Sequence, residues 1–442
     1  MAAYASDPDP PWQLSSHCRI VLFLLALGIS TIACDDFEYE GWINQPIPIR
    51  FENGVPLVEV SYRGAPQVLA SIDTGSPLTA IHSASQIVAL PKAGPLGDFN
   101  LIAGLGESRG ELRLQDADHP DITRFIFRNF DVVDVPLHPI GLSNPMPLGG
   151  ILGMTVLGHF AVHLSSSPPR LVLRRNVSDT SGELAADCRS AELLTPGGFA
   201  AERCIGVFRT PPTGGGTALL GDTAISLPAS RLVVTLCAGP APFDPTRSRT
   251  PLPTVTGTPL SAIIATGLGT SIISRSAFDR LHTRLPDLKE TPRQTLYLQT
   301  GPLTVSTTEI RRVAIVDDRA LDLGPCGELA RRRRLVLAPN RGISPDDEGR
   351  EGAAVALTVS PIVFAIVPDA AAILQGIRQE LRSLVADVDV ILGGSFLSAF
   401  SLDFDYPNGR TIFQCSLGLT AETCRVYPSC NQADGPPCPT RN

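Results

Sequence analysis

The chain has 442 residues, enough for two or three domains with a substantial buried core. Hydrophobic residues make up 43% and charged residues 18%, a globular composition, and 39 Gly with 40 Pro suit short strands and many turns better than long helices. The formal net charge is −8, and the single basic run, Arg331 to Arg334, has no interleaved aromatics; it reads as a solvated loop or strand edge and argues against nucleic acid as a partner.

The first predicted element is the apolar run Ile20–Ala33 (IVLFLLALGISTIA), preceded by Arg19 and closed by Ala33-Cys34-Asp35-Asp36. A membrane-spanning helix needs about 20 apolar residues, so this shorter run has the proportions of a signal peptide. A small residue directly before Cys, closing such a run, resembles a bacterial lipoprotein signal, which implies lipidation at Cys34. Thr31 stands where such signals prefer a larger aliphatic residue, and the Met1–Cys18 stretch with its DPDPP run is an unusual leader. Ordinary cleaved secretion and an uncleaved anchor are the alternatives. The expectation is export, to a periplasm-facing or cell-surface position held by a lipid at Cys34, or secretion.

The alternating stretches Val58–Tyr62 and Glu111–Leu114 predict strands. Arg174–Gly216 is polar and rich in Gly and Pro, and predicts a boundary. A helix is predicted within Pro368–Leu384, where Ala372, Leu374, Ile377, Leu381 and Leu384 recur at helical spacing. Phe404–Arg410 predicts a hairpin turn before Thr411–Phe413. Apart from Cys18 and Cys34 the chain holds Cys188, Cys204, Cys237, Cys326, Cys415, Cys424, Cys430 and Cys438. In an oxidising compartment these can form disulfides, with the pairing left open, and the stretch after Cys415 predicts a small stapled appendage. With no CxxC, no HExxH and only His159 and His163 at a ligand-like spacing within a strand-like segment, no metal and no cofactor are expected.

An internal repeat organises these elements. SIDTGSPLTAI at 71–81 is echoed by IIATGLGTSII at 263–273, with Ala265 where Asp73 stands. A second pair follows in the same order: Ile151-Leu152-Gly153 matches Ile391-Leu392-Gly393, with Leu157, Phe160 and Arg170 matching Leu397, Phe400 and Arg410.

On these motifs, most of residues 45–415 resembles a pepsin-like aspartic peptidase. The resemblance implies a mainly β, two-lobed fold with few short helices and a cleft between the lobes. It also implies catalytic turns at Asp73-Thr74-Gly75-Ser76 and, in the second lobe, at Ala265-Thr266-Gly267. The expected divisions are a signal peptide at 1–34, an N-terminal lobe at 35–190, a linker at 191–216, a C-terminal lobe at 217–415 and a Cys-rich tail at 416–442. In the family the Thr of each turn reaches across to the other lobe, a role available to Thr74 and Thr266. Gly75 permits the tight turn, and Gly153 and Gly393 permit close approach of the Ile-Leu-Gly elements.

The family's chemistry uses two carboxylates a few Å apart that share one proton. With Ala265 the dyad is incomplete, and Asp73 alone is expected to ionise like an ordinary acid near pH ~4. A general acid or base contributes roughly 10²–10⁴-fold, and losing one member of a cooperating unit costs nearly as much as losing the unit. Two further departures agree. LIAGLGESRG at 101–110 resembles the family's flap hairpin, with Gly104 and Gly106 in place but Ala103 where a Tyr is usual; a generic glycine-bearing hairpin is the alternative. Leu268 stands where a small hydroxyl residue usually follows. The leading expectation is therefore a monomeric pseudo-peptidase that binds a peptide or protein segment in its groove. The first alternative is an active endopeptidase using a substitute acid, with Asp222 of LLGDTAIS as the candidate. The second is a structural surface lipoprotein without groove function.

Overall fold

A computed structural model describes residues 37–62, 67–82, 95–96, 99–102, 111–175 except 117, 120–121, 129, 131 and 136, then 205–239 except 221–222, 257–298, 301–316, 326, 355–358, 361–381, 388–415 and 424–427. Throughout these, the chain is mainly β with short helices, as the glycine- and proline-rich composition predicts. Three large sheets hold nearly all of the strands.

The first, of 11 strands, draws on the N-terminal half, from Glu38–Gly41 to Gly150–Leu152. At its centre Val55–Tyr62, Val68–Ile72, Gly150–Leu152 and Thr79–His82 lie side by side. The second, also of 11 strands, draws mainly on the C-terminal half, and its centre repeats that arrangement with Ser271–Ser274, Val390–Leu392, Thr258–Ile264 and Leu232–Gly239. These central strands are buried on both faces, which is why they read as apolar runs such as Ser-Ala-Ile-Ile rather than as clean alternation. A third sheet of six strands is shared: Ala161–Ser166 pairs with Phe400–Asp405, so hairpins from the two halves are zipped edge to edge. One continuous apolar core spans both halves, including Phe125 and Phe160 from the first and Phe396, Phe400 and Phe413 from the second.

Helix Ala372–Leu381 forms where predicted and buries Leu374, Ile377 and Leu381. A second helix of similar length, Arg275–Arg284, was not predicted. Ser274 caps it by accepting the Ala277 N–H at 3.2 Å, and Ala277, Phe278 and Leu281 are its buried side.

Two expectations about boundaries need correction. Ile205–Arg209, placed in the 191–216 linker, is a strand of the shared sheet, paired with Arg410–Gln414. Cys424–Tyr427, placed in the appendage, is the edge strand of the second large sheet, paired with Val355–Thr358. Neither segment has a strong alternating pattern, and only its partner strand makes it a strand. Of the cysteines, Cys237 and Cys326 form a disulfide that closes a loop across 89 residues of sequence, and Cys415 is disulfide-bonded as well. Among the described residues no helix is long and apolar enough to cross a membrane. Cys34 and the run before it lie outside them.

Candidate functional site

The site begins with two strand ends. In the first half Gly150–Leu152 runs parallel to Val68–Ile72 and antiparallel to Thr79–His82, so that Ile151 sits between Ser71 and Ala80. In the second half Val390–Leu392 does the same, with Ile391 between Ile263 and Ile272. Each turn is pinned where its strand ends: Asp73 N–H donates to the Leu152 carbonyl at 3.0 Å, and Ala265 N–H to the Leu392 carbonyl at 2.9 Å. Behind each turn a hydroxyl pair repeats. Gly153 N–H donates to Thr79 Oγ1 at 3.2 Å and Gly393 N–H to Ser271 Oγ at 3.0 Å, while Thr155 and Ser395 back up those two hydroxyls at 2.9 and 2.8 Å. The glycines are obligatory. A Cβ on Gly153 would fall 2.2 Å from the Leu78 carbonyl oxygen, and one on Gly393 would fall 2.5 Å from that of Leu268.

The two turns meet. Thr74 N–H donates to Thr266 Oγ1 at 3.0 Å, and Thr266 N–H to Thr74 Oγ1 at 3.4 Å. Thr266 Oγ1 passes its own proton to the Ile72 carbonyl at 2.6 Å. Both threonines are buried, so these bonds work away from competing water. Residues 192 positions apart are thereby held as one unit, which is the reach across expected of Thr74 and Thr266.

On this near-symmetric frame the side chains differ. Asp73 Oδ1 accepts N–H bonds from both glycines, Gly75 at 2.8 Å and Gly267 at 3.3 Å. Gly267 has no alternative, because a Cβ there would lie 2.3 Å from the Asp73 carboxyl carbon. Opposite, the Ala265 methyl is buried in an apolar cluster with Ile263, Ile272, Val367 and Ile391. The second turn is an extension of the hydrophobic core where the first is an acid. Ser76 Oγ donates to the Leu78 carbonyl at 2.8 Å, whereas Leu268, in the matching place, packs against the same apolar cluster as Ala265.

Asp73 departs from expectation in its charge. Protein encloses the carboxyl on most sides while leaving part of the residue accessible, and burial raises its pKa above the ordinary carboxylate value. The Gly75 and Gly267 N–H groups and the Arg231 charge oppose that rise without cancelling it. Its expected ordinary ionisation is therefore corrected: burial alone is enough to raise the pKa, with no second carboxyl beside it among the described residues.

Three neighbours of Asp73 went unrecognised in the sequence. Arg231, just before strand Leu232–Gly239, donates through Nη1 to the Gly75 carbonyl. Its Nε and Nη2 both reach Glu380 Oε2, at 2.9 and 2.8 Å, and Glu380 Oε1 also accepts the Gly215 N–H at 3.2 Å. Tyr406 lies buried with its hydroxyl beside Thr74, short of a well-formed hydrogen bond. Burial and the Asp73 charge hold that phenol well above its usual range. No motif announces these residues; only the paired sheets bring them to the turn.

Asp403 and Asp405, which follow the second Ile-Leu-Gly element, are used by the fold. Asp405 holds Asn408 and Arg410 across the hairpin turn, and Asp403 pairs with Arg174 at 2.7 Å and His163 at 3.0 Å on the facing hairpin. The substitute acid Asp222 lies outside the described residues, between strands Gly216–Leu220 and Thr223–Leu227 of a separate hairpin. The flap residues Ala103, Gly104 and Gly106 also lie outside them. Among the described residues no group of His, Cys, Asp and Glu could hold a metal ion.

Comparison with known protein families and with curated proteins returned no match. The functional reading therefore rests on the geometry of these two turns. That geometry offers one carboxylate of raised pKa, two N–H donors on one of its oxygens, and no second acid bonded to it among the described residues. It can hold a proton or a negative charge. It lacks the partner with which a dyad divides the two tasks between its members.

Proposed function

We propose that the chain is an exported pseudo-peptidase of the pepsin-like type, built as two lobes with a groove between them that binds a peptide or protein segment without cutting it. The observation that carries this reading is the pairing of Asp73 with Ala265 on a frame whose backbone bonds repeat on both sides. The Thr74–Thr266 contacts, the glycines and the Ile-Leu-Gly elements are all kept, while the acid of one side has become a core methyl. A scaffold retained in such detail supports a role for the groove. The missing carboxyl removes the group that would donate to a scissile carbonyl while Asp73 takes the proton of the attacking water.

The test is hydrolysis of a diverse peptide library by the purified chain from acidic to neutral pH, read by mass spectrometry, with Asp73→Ala as the blank. The expected result is no cleavage by the parent above that blank. In Ala265→Asp a second carboxyl stands beside the Gly267 N–H, and cleavage at acidic pH is expected to rise above the blank. Cleavage by the parent that disappears in Asp73→Ala would overturn the reading in favour of a working peptidase, and Asp222→Ala would then be the next variant.

A further inference from the structure

We propose that the segment bound in this groove brings a cationic group, a Lys or Arg side chain or a free amino terminus, against the accessible part of Asp73. This deepens the preceding reading and rests on it. The ground is the set of partners around the acid. Among the described residues Arg231 is the cation that acts on Asp73, yet its guanidinium bonds are to Glu380 and to the Gly75 carbonyl. No cation among the described residues is therefore bonded to the Asp73 carboxyl. Tyr406, buried with its hydroxyl beside Thr74, stays a neutral phenol.

A carboxylate drawn out of water without a partner is costly, and it is relieved either by a proton or by a cation. In a dyad the shared proton does this, because the second carboxyl stands close enough to hold it. Here a buried methyl stands there, and it can hold no proton. The carboxylate's geometry leaves one oxygen for a donor. Oδ1 already accepts both glycine N–H groups, so Oδ2 is the oxygen free of those two bonds, and Asp73 is partly accessible. A donor bearing a full positive charge makes the stronger, charge-assisted bond.

The sign of the pH dependence separates this from its rival. A cation needs Asp73 ionised, so its binding strengthens as pH rises through the raised pKa and then levels off. A neutral carbonyl bonded to protonated Asp73 shows the opposite trend.

The probes are capped extended peptides, each sequence made with Lys or with norleucine at one position, titrated against the purified chain by fluorescence anisotropy. On the high-pH plateau the best Lys peptide is expected to bind roughly tenfold or more tightly than its norleucine twin. That advantage is expected to shrink on acidification and to fall within about twofold in Asp73→Asn, whose thermal melt checks that it is folded. Equal binding of the twins, or an advantage that survives in Asp73→Asn, overturns the cation while the groove reading stands. If no peptide binds, both fall.

Discussion

At the scale of single residues, Asp73 is the side chain that sets the two turns apart. Its carboxyl is buried enough for its pKa to rise, yet it is held by two glycine N–H groups that a Cβ would displace. The rise has a consequence for stability. Between the unfolded carboxylate value and the higher folded one, the native state binds more protons than the unfolded state, so stability falls as pH rises across that window. The deficit persists at neutral pH. Asp73→Asn removes this titration while leaving an oxygen for the Gly75 N–H. The melting temperature of Asp73→Asn minus that of the parent is therefore expected to increase from acid to neutral pH. A difference independent of pH would mean that burial does not raise the Asp73 pKa.

At the scale of elements, the Ile-Leu-Gly strand ends and helix Ala372–Leu381 make opposite demands on glycine. Gly153 faces backbone atoms only: the Leu78 carbonyl at 2.2 Å from a built Cβ and the Ser76 oxygen at 3.0 Å, with no flexible side chain to yield. Gly153→Ala is expected to destabilise the fold by about 1–3 kcal/mol or more in denaturant unfolding. Gly376, in helix Ala372–Leu381, is exposed and meets nothing within 4 Å, so Gly376→Ala is expected to stabilise by about 0.5–1 kcal/mol. Equal effects at the two positions would contradict the close-approach argument. The same scale shows what local pattern conveys. Helix Ala372–Leu381 was legible from its apolar spacing. Helix Arg275–Arg284 carried its signals too, in the Ser274 cap and the Phe278–Leu281 spacing, but these are weak beside the strand-like residues before it.

At the scale of the whole molecule, the shared sheet decides whether the two turns meet. Its central joint, Ala161–Ser166 against Phe400–Asp405, is tied by Asp403, which takes Arg174 and His163 from the opposite hairpin. Asp403 is nearly buried and Arg174 is about four-fifths so. Asp403→Ala therefore leaves a largely desolvated guanidinium without its partner, at an expected loss of about 3 kcal/mol in equilibrium unfolding. Because the joint lies between the halves, the Thr74–Thr266 contacts are expected to loosen with it. Faster hydrogen exchange at the Thr74 and Thr266 amides would report this, and unchanged exchange would show that the turns hold each other without the sheet.

The sequence by itself determined the repeat. Two matched pairs of motifs in matched order located both turns, both Ile-Leu-Gly strands and the Ala265 that stands where Asp73 stands, because each motif is a local requirement for a tight turn or a close approach that only certain residues meet. Tertiary structure decided the rest. Ile205–Arg209 and Cys424–Tyr427 are strands because a partner strand completes their hydrogen bonds, and their own residues do not demand it. Arg231, Glu380 and Tyr406 reach the acid turn from positions far along the chain, and the raised pKa of Asp73 comes from the burial that the assembled fold creates. Burial and long-range charge are properties of where chains meet, and no short stretch of sequence carries them.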